Sequence, residues 1–128
     1  MAHPRDNEDV FWIADLRVST LLLFRDQRFR GYCILSFTPW NATSLESLSA
    51  AEYRAFLSDL RSASQAIREA LRPDHMNYEL LGNTNPHLHW HIVPRYKSDP
   101  VGASRYGKAG CAMSSISIDT CSLLRSTK

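Results

Sequence analysis

Apolar and polar positions fall into five patterned segments along this chain, and each predicts an element. Val18, Ser19, Thr20, Leu21, Leu22, Leu23 and Phe24 form a run rich in β-favouring residues, of a length that suits a strand buried on both faces. Residues 32–38 form a second such run. Between them, residues 25–31 carry Asp26 and end at Gly31, as expected of a hairpin connection longer than two residues. Ser49 followed three residues later by Glu52 is a capping box. Tyr53, Phe56, Leu57, Leu60, Ala63, Ile67 and Leu71 then recur at helical spacing, and Pro73 ends the helix because its ring disfavours helical geometry before it. Two further strand-like runs cover 76–82 and 87–93, separated by Asn83, Thr84, Asn85 and Pro86. The order strand, strand, helix, strand, strand predicts an α+β fold, an antiparallel sheet with a helix packed on one face.

Composition narrows the class. A chain of 128 residues fits one domain, assigned to 1–99, followed by a Gly/Ser-rich tail over 100–128 with few large apolar residues, expected to be loop or partly disordered. No stretch reaches the roughly 20 apolar residues of a membrane span. The N-terminus has neither signal-peptide nor transit-peptide character, so a cytoplasmic location is expected. Cys33, Cys111 and Cys121 have no CxxC spacing and are too few for a disulfide scaffold, and Cys33 is expected to be buried. A net charge of +2 with scattered basic residues argues against nucleic acid as a partner.

The chemistry concentrates in His87-Leu-His-Trp-His-Ile-Val93. In a strand, period two sends the three histidines to one face and Leu88, Trp90 and Ile92 to the other. A metal site is one use of such a row, with a further ligand from His75, Glu79 or Asp74. It is limited by geometry, because the outer histidines stand roughly 13 Å apart at Cα in a straight strand. The other use is phosphoryl-type chemistry without a cofactor. Imidazolium charges about 7 Å apart repel by roughly 2 kcal/mol at an effective dielectric near 20, so some of the three stay neutral until an anion binds. A neutral imidazole is a nucleophile and an imidazolium grips phosphate oxygens. His89, flanked on both sides, is the candidate nucleophile, with His87 and His91 as the clamp. Arg95 and Lys97 could add positive potential.

The segment Gly82-Asn-Thr-Asn-Pro-His-Leu-His-Trp-His-Ile-Val-Pro-Arg95 resembles the histidine triad family, whose signature His-φ-His-φ-His-φ-φ, with φ apolar, it matches completely. The resemblance extends over roughly residues 10–99 and looks closest to the diadenosine tetraphosphate hydrolase-like branch. It implies an antiparallel sheet with flanking helices, a homodimer, and a nucleotide substrate cleaved at its α-phosphate by hydrolysis or transfer. By the same resemblance His89 becomes nucleotidylated, while His87, His91 and Asn83 contact phosphate and Asp26 holds the ribose hydroxyls. Two departures stand out. Asn41 occupies a position where many relatives carry a histidine, which weakens the support expected for the triad, and the segment from Val101 onward lacks the tryptophan-bearing stretch of related chains. The alternatives are a nucleotide-binding module with weak turnover and a metal-dependent hydrolase using two of the triad histidines.

Overall fold

Five antiparallel strands form one sheet in the computed structural model, which describes residues 2–99. They are β1 (Val10–Asp15), β2 (Ser19–Phe24), β3 (Cys33–Phe37), β4 (His75–Glu79) and β5 (His89–Arg95), in the spatial order β1-β2-β3-β5-β4. Among these residues one α-helix, α1 (Ala50–Leu71), packs on one face. This is the α+β architecture the patterning predicts. The tail over 100–128, with Cys111 and Cys121, lies outside the described residues.

Helix α1 begins as its capping box requires. Ser49 accepts from the Glu52 backbone N–H, and the Glu52 carboxylate accepts from the Ser49 N–H. At the other end Arg72 turns left-handed (φ 47°) before Pro73, which stops the helix. The buried side of α1 carries Phe56, Ala63, Ile67 and Leu71 against Leu21, Leu23, Cys33, Leu35, Phe37 and Ile92 of the sheet. Burying this apolar face is the main force holding helix to sheet.

One buried residue on that face is not apolar. The Asp59 carboxylate is 3% exposed and accepts from Arg17 N at 3.2 Å, Val18 N at 2.9 Å and Ser19 Oγ at 2.6 Å. It ties the middle of α1 to the β1–β2 connection.

The β2–β3 connection is organised by a buried amide. Gln27 donates through Nε2 to Phe24 O (2.6 Å) and Tyr32 O (3.2 Å) and accepts from Gly31 N (2.7 Å), so one amide bridges the two ends of the connection. Gly31 has φ +86°, and a Cβ there would lie 2.3 Å from Leu71 Cδ1 and 3.1 Å from Pro94 Cγ, so this close approach of the connection to α1 and β5 requires glycine.

The strands depart from the sequence expectation in three places. β1 is an additional edge strand: its run Val10-Phe-Trp-Ile-Ala-Asp15 shows no alternation because the register shifts between Trp12 and Ala14, a bulge that breaks the period of two. β4 covers His75–Glu79 rather than 76–82, since Leu80 to Gly82 leave the ladder. β5 starts at His89 rather than His87, because the last pair with β3 is Ser36–His89.

Candidate active site

The face of the sheet away from α1 carries a cleft of about 690 Å³. Its floor follows from the strand register. His91 lies opposite Ile34, which lies opposite Leu22, while His89 lies opposite Ser36. Period two along β2, β3 and β5 sends all these side chains to the same side. Asn83, Thr84 and Asn85 from the β4–β5 loop form one wall, with Leu81 and Gly82, and Asn7, Asp9 and Val10 close the far end. The volume falls within the range of small-molecule sites. A second concavity of about 410 Å³ between α1 and Tyr78 contains no histidine and lacks comparable chemistry.

His89 and His91 stand side by side with ring centroids 4.7 Å apart. His89 Nδ1 makes a short hydrogen bond to the backbone carbonyl oxygen of His87. A carbonyl only accepts, so Nδ1 carries a proton, and a neutral His89 therefore keeps its lone pair on Nε2. This is the tautomer a nucleophile needs.

His91 is half-buried, and its Nδ1 lies 2.6 Å from the Tyr32 hydroxyl, which can donate or accept and so serves either tautomer. Burial, and then the neighbouring His89 charge, hold the His91 pKa below the ordinary histidine value, while Glu79 across the β4–β5 pair opposes them. An unfolded chain therefore binds this proton more readily than the native one. The contribution to stability is complete above about pH 6.5, the unfolded value, and declines as pH falls below it. Urea unfolding should show a midpoint that drops from pH 7 to pH 5 with a shallower slope in His91→Gln; an identical slope in the variant would remove His91 from this dependence.

His87 is placed differently from its two companions. It sits in the bend before β5 and is not among the residues lining the cleft. Its Nε2 lies 2.6 Å from Phe37 O and so donates, and its Nδ1 lies 2.9 Å from Asn41 Oδ1. An amide can present either its oxygen or its nitrogen, so Asn41 can satisfy the ring in both protonation states. The expectation that Asn41 weakens support for the triad is thus corrected: its amide reaches His87 directly.

Of the remaining sequence candidates, Asn83 lines the cleft and Asp26 does not. Asp26 Oδ1 accepts from Arg28 N at 3.1 Å within the β2–β3 turn, and its carboxylate is 3.7 Å from the Arg28 guanidinium. Arg95 is buried, donates to Asp99 at 2.8 Å and lies over the Phe29 ring. It is thereby held away from a phosphate role. Asp74 accepts from Lys97 N at 2.7 Å. Among the described residues no three His, Cys, Asp or Glu side chains are grouped to hold a metal ion, and no helix is long and apolar enough to cross a membrane.

Sequence reasoning missed Tyr32, Ser36, Asn7 and Asp9. Tyr32 and Ser36 bracket Ile34 at period two, so pairing β3 with the histidine strand in the observed register would have found them. Asn7 and Asp9 precede a strand hidden by its bulge.

The model of the HIT domain family matches residues 13–98 of this chain. Solved structures with the same fold include a histidine triad protein from Bradyrhizobium japonicum (25% identity, TM-score 0.77, covering 99% of this chain and 96% of that one). Others are histidine triad proteins from Marinobacter aquaeolei (21%, TM-score 0.79, 99% and 91%) and Sinorhizobium meliloti (17%, TM-score 0.82, 94% and 90%). No curated protein matches the sequence.

Proposed function

Because the chain belongs to the HIT domain family, we propose that it cleaves dinucleoside polyphosphates or related nucleotide conjugates at the α-phosphate through a covalent nucleotidyl-His89 intermediate. The observation that carries this reading is the hydrogen bond from His89 Nδ1 to its own chain, which leaves Nε2 as a lone pair in the cleft beside His91. In the first step Nε2 forms a bond to the α-phosphorus as the bond to the leaving oxygen breaks. The leaving group departs with that electron pair and takes up a proton. In the second step water or another acceptor attacks the phosphorus, loses its proton, and the P–N bond breaks to return the lone pair to Nε2. Burial and His89 favour the neutral form of His91, and a bound phosphate favours its protonated form, so phosphate binding favours His91 as a clamp where charge must be stabilised. Asn83 contributes an amide donor from the loop wall, and the family reading assigns the ribose contact to Asp26, which accepts from Arg28 N in the β2–β3 turn outside the cleft lining.

A second reading, a nucleotide-binding module with weak turnover, draws on the position of His87, whose two ring nitrogens face Asn41 and Phe37 O rather than the cleft. Rapid quenching with radiolabelled diadenosine tetraphosphate separates the two. The enzyme reading expects an acid-labile label on the protein that is absent from His89→Ala; binding without any labelled protein supports the module and overturns the enzyme.

The same family reading takes the protein as a homodimer. Its support is β4, which is an edge strand among the described residues and carries the exposed Tyr78. Sedimentation equilibrium should give twice the chain mass, and a monomer at micromolar concentration would remove this part of the proposal.

A further inference from the structure

We infer that Asp9 reads the base of the bound nucleotide and gives the cleft a preference for guanine; this rests on the nucleotide reading above and deepens it. The cleft crosses the sheet in strand order, from His89 and His91 on β5, over Ser36 and Ile34 on β3, then Leu22 and Phe24 on β2, to Val10, Asn7 and Asp9 at the start of β1. With strands about 4.8 Å apart, β1 stands about 14 Å from β5. A nucleotide anchored by its α-phosphate at His89 lays its sugar over the nearer strands, and only its base reaches the far ones. The floor there, Leu22, Phe24, Ile34 and Val10, is apolar and suits the flat face of a base.

The polar groups at the distal end are Asn7 and Asp9. Asn7 Oδ1 is engaged by the backbone N–H groups of Asp9 (2.7 Å) and Val10 (2.9 Å), which fixes the turn. Asp9 itself is exposed, and its carbonyl oxygen accepts from Arg25 N at 2.8 Å, which pins its backbone beside β2. The nearby Arg25 side chain is engaged elsewhere: Nε donates to Asn7 O at 2.6 Å and the guanidinium lies 3.8 Å from the centre of the Phe11 ring. The Asp9 backbone is thus held in place, and its exposed carboxylate is an acceptor-only group lining the cleft at the point where a base edge arrives.

A carboxylate has two oxygens and no donor, so it matches two adjacent N–H groups. Guanine offers that pair on its pairing edge, the ring N1–H and the 2-amino group. Adenine and cytosine each place a ring-nitrogen acceptor beside their amino group, and uracil flanks its N–H with two carbonyls. An acceptor facing the carboxylate is repelled and left unpaired, which is where discrimination arises.

Calorimetric titration of the full chain and of Asp9→Asn with GMP, IMP and AMP tests the assignment. The native chain should bind GMP about 10-fold or more tighter than AMP, with IMP between them, since a good bidentate pair discriminates at this level. In Asp9→Asn the GMP advantage should shrink about 10-fold while AMP affinity changes less than about twofold. Equal affinities for GMP and AMP in the native chain would overturn the inference and leave the nucleotide reading standing. So would a uniform gain for both in the variant, the signature of relieved long-range repulsion. Failure of all three ligands to bind would overturn both.

Discussion

Replacing His89 with alanine should lower kcat on a dinucleoside polyphosphate by about 10⁴-fold or more, because the residue that forms the covalent bond cannot be replaced by binding or positioning alone. Its neighbours and the cleft remain, so affinity for a nucleoside monophosphate should change little. Stability should also hold. The described hydrogen bond of the His89 side chain goes to the His87 carbonyl at a partly exposed position, so its loss costs about 1 kcal/mol or less. The variant carries an internal check: with the His89 charge gone, one of the two influences that hold the His91 pKa down disappears, and its titration by NMR should move upward. A variant with native turnover would remove His89 from the chemistry altogether.

The second large effect concerns stability. Asp59→Ala should destabilise the fold by about 2–4 kcal/mol, because it strands two backbone N–H groups and a buried hydroxyl at the β1–β2 connection. For a domain of this size that corresponds to a melting temperature lower by roughly 10–20 °C. Asp59 faces the opposite side of the sheet from the cleft, so kcat measured well below the transition should stay near native. Chemical denaturation decides the point. A loss below about 0.5 kcal/mol would mean that water or a rearranged turn satisfies those donors instead.

The contrast between these two residues shows what sequence pattern can carry. The histidine row was legible because alternation over residues 87–92 is a period that only a strand uses, and the helix because its cap and apolar stripe agree. Asp59 was invisible for the opposite reason: it sits on the apolar stripe between Phe56 and Ala63, and only the tertiary arrival of residues 17–19 makes a carboxylate tolerable there. The divergence of His87 from its companions also depends on tertiary structure. Its ring follows Phe37 and Asn41, which approach because the β3–β5 ladder has ended, and nothing in the local alternation marks that end. The far wall of the cleft stayed hidden for a related reason, since a one-residue bulge erased the period of the strand that supports it.

The proton on His89 Nδ1 is held by the main chain rather than by another side chain. No point substitution can delete a backbone carbonyl, so the orientation of the reacting ring is insulated from genetic change at neighbouring positions. A variant at position 87 would keep that restraint as long as the local backbone path survives. Whatever such a variant loses in rate therefore reports on the missing imidazole itself, and positions 87 and 89 can be dissected as separate contributors even though one supplies the anchor for the other.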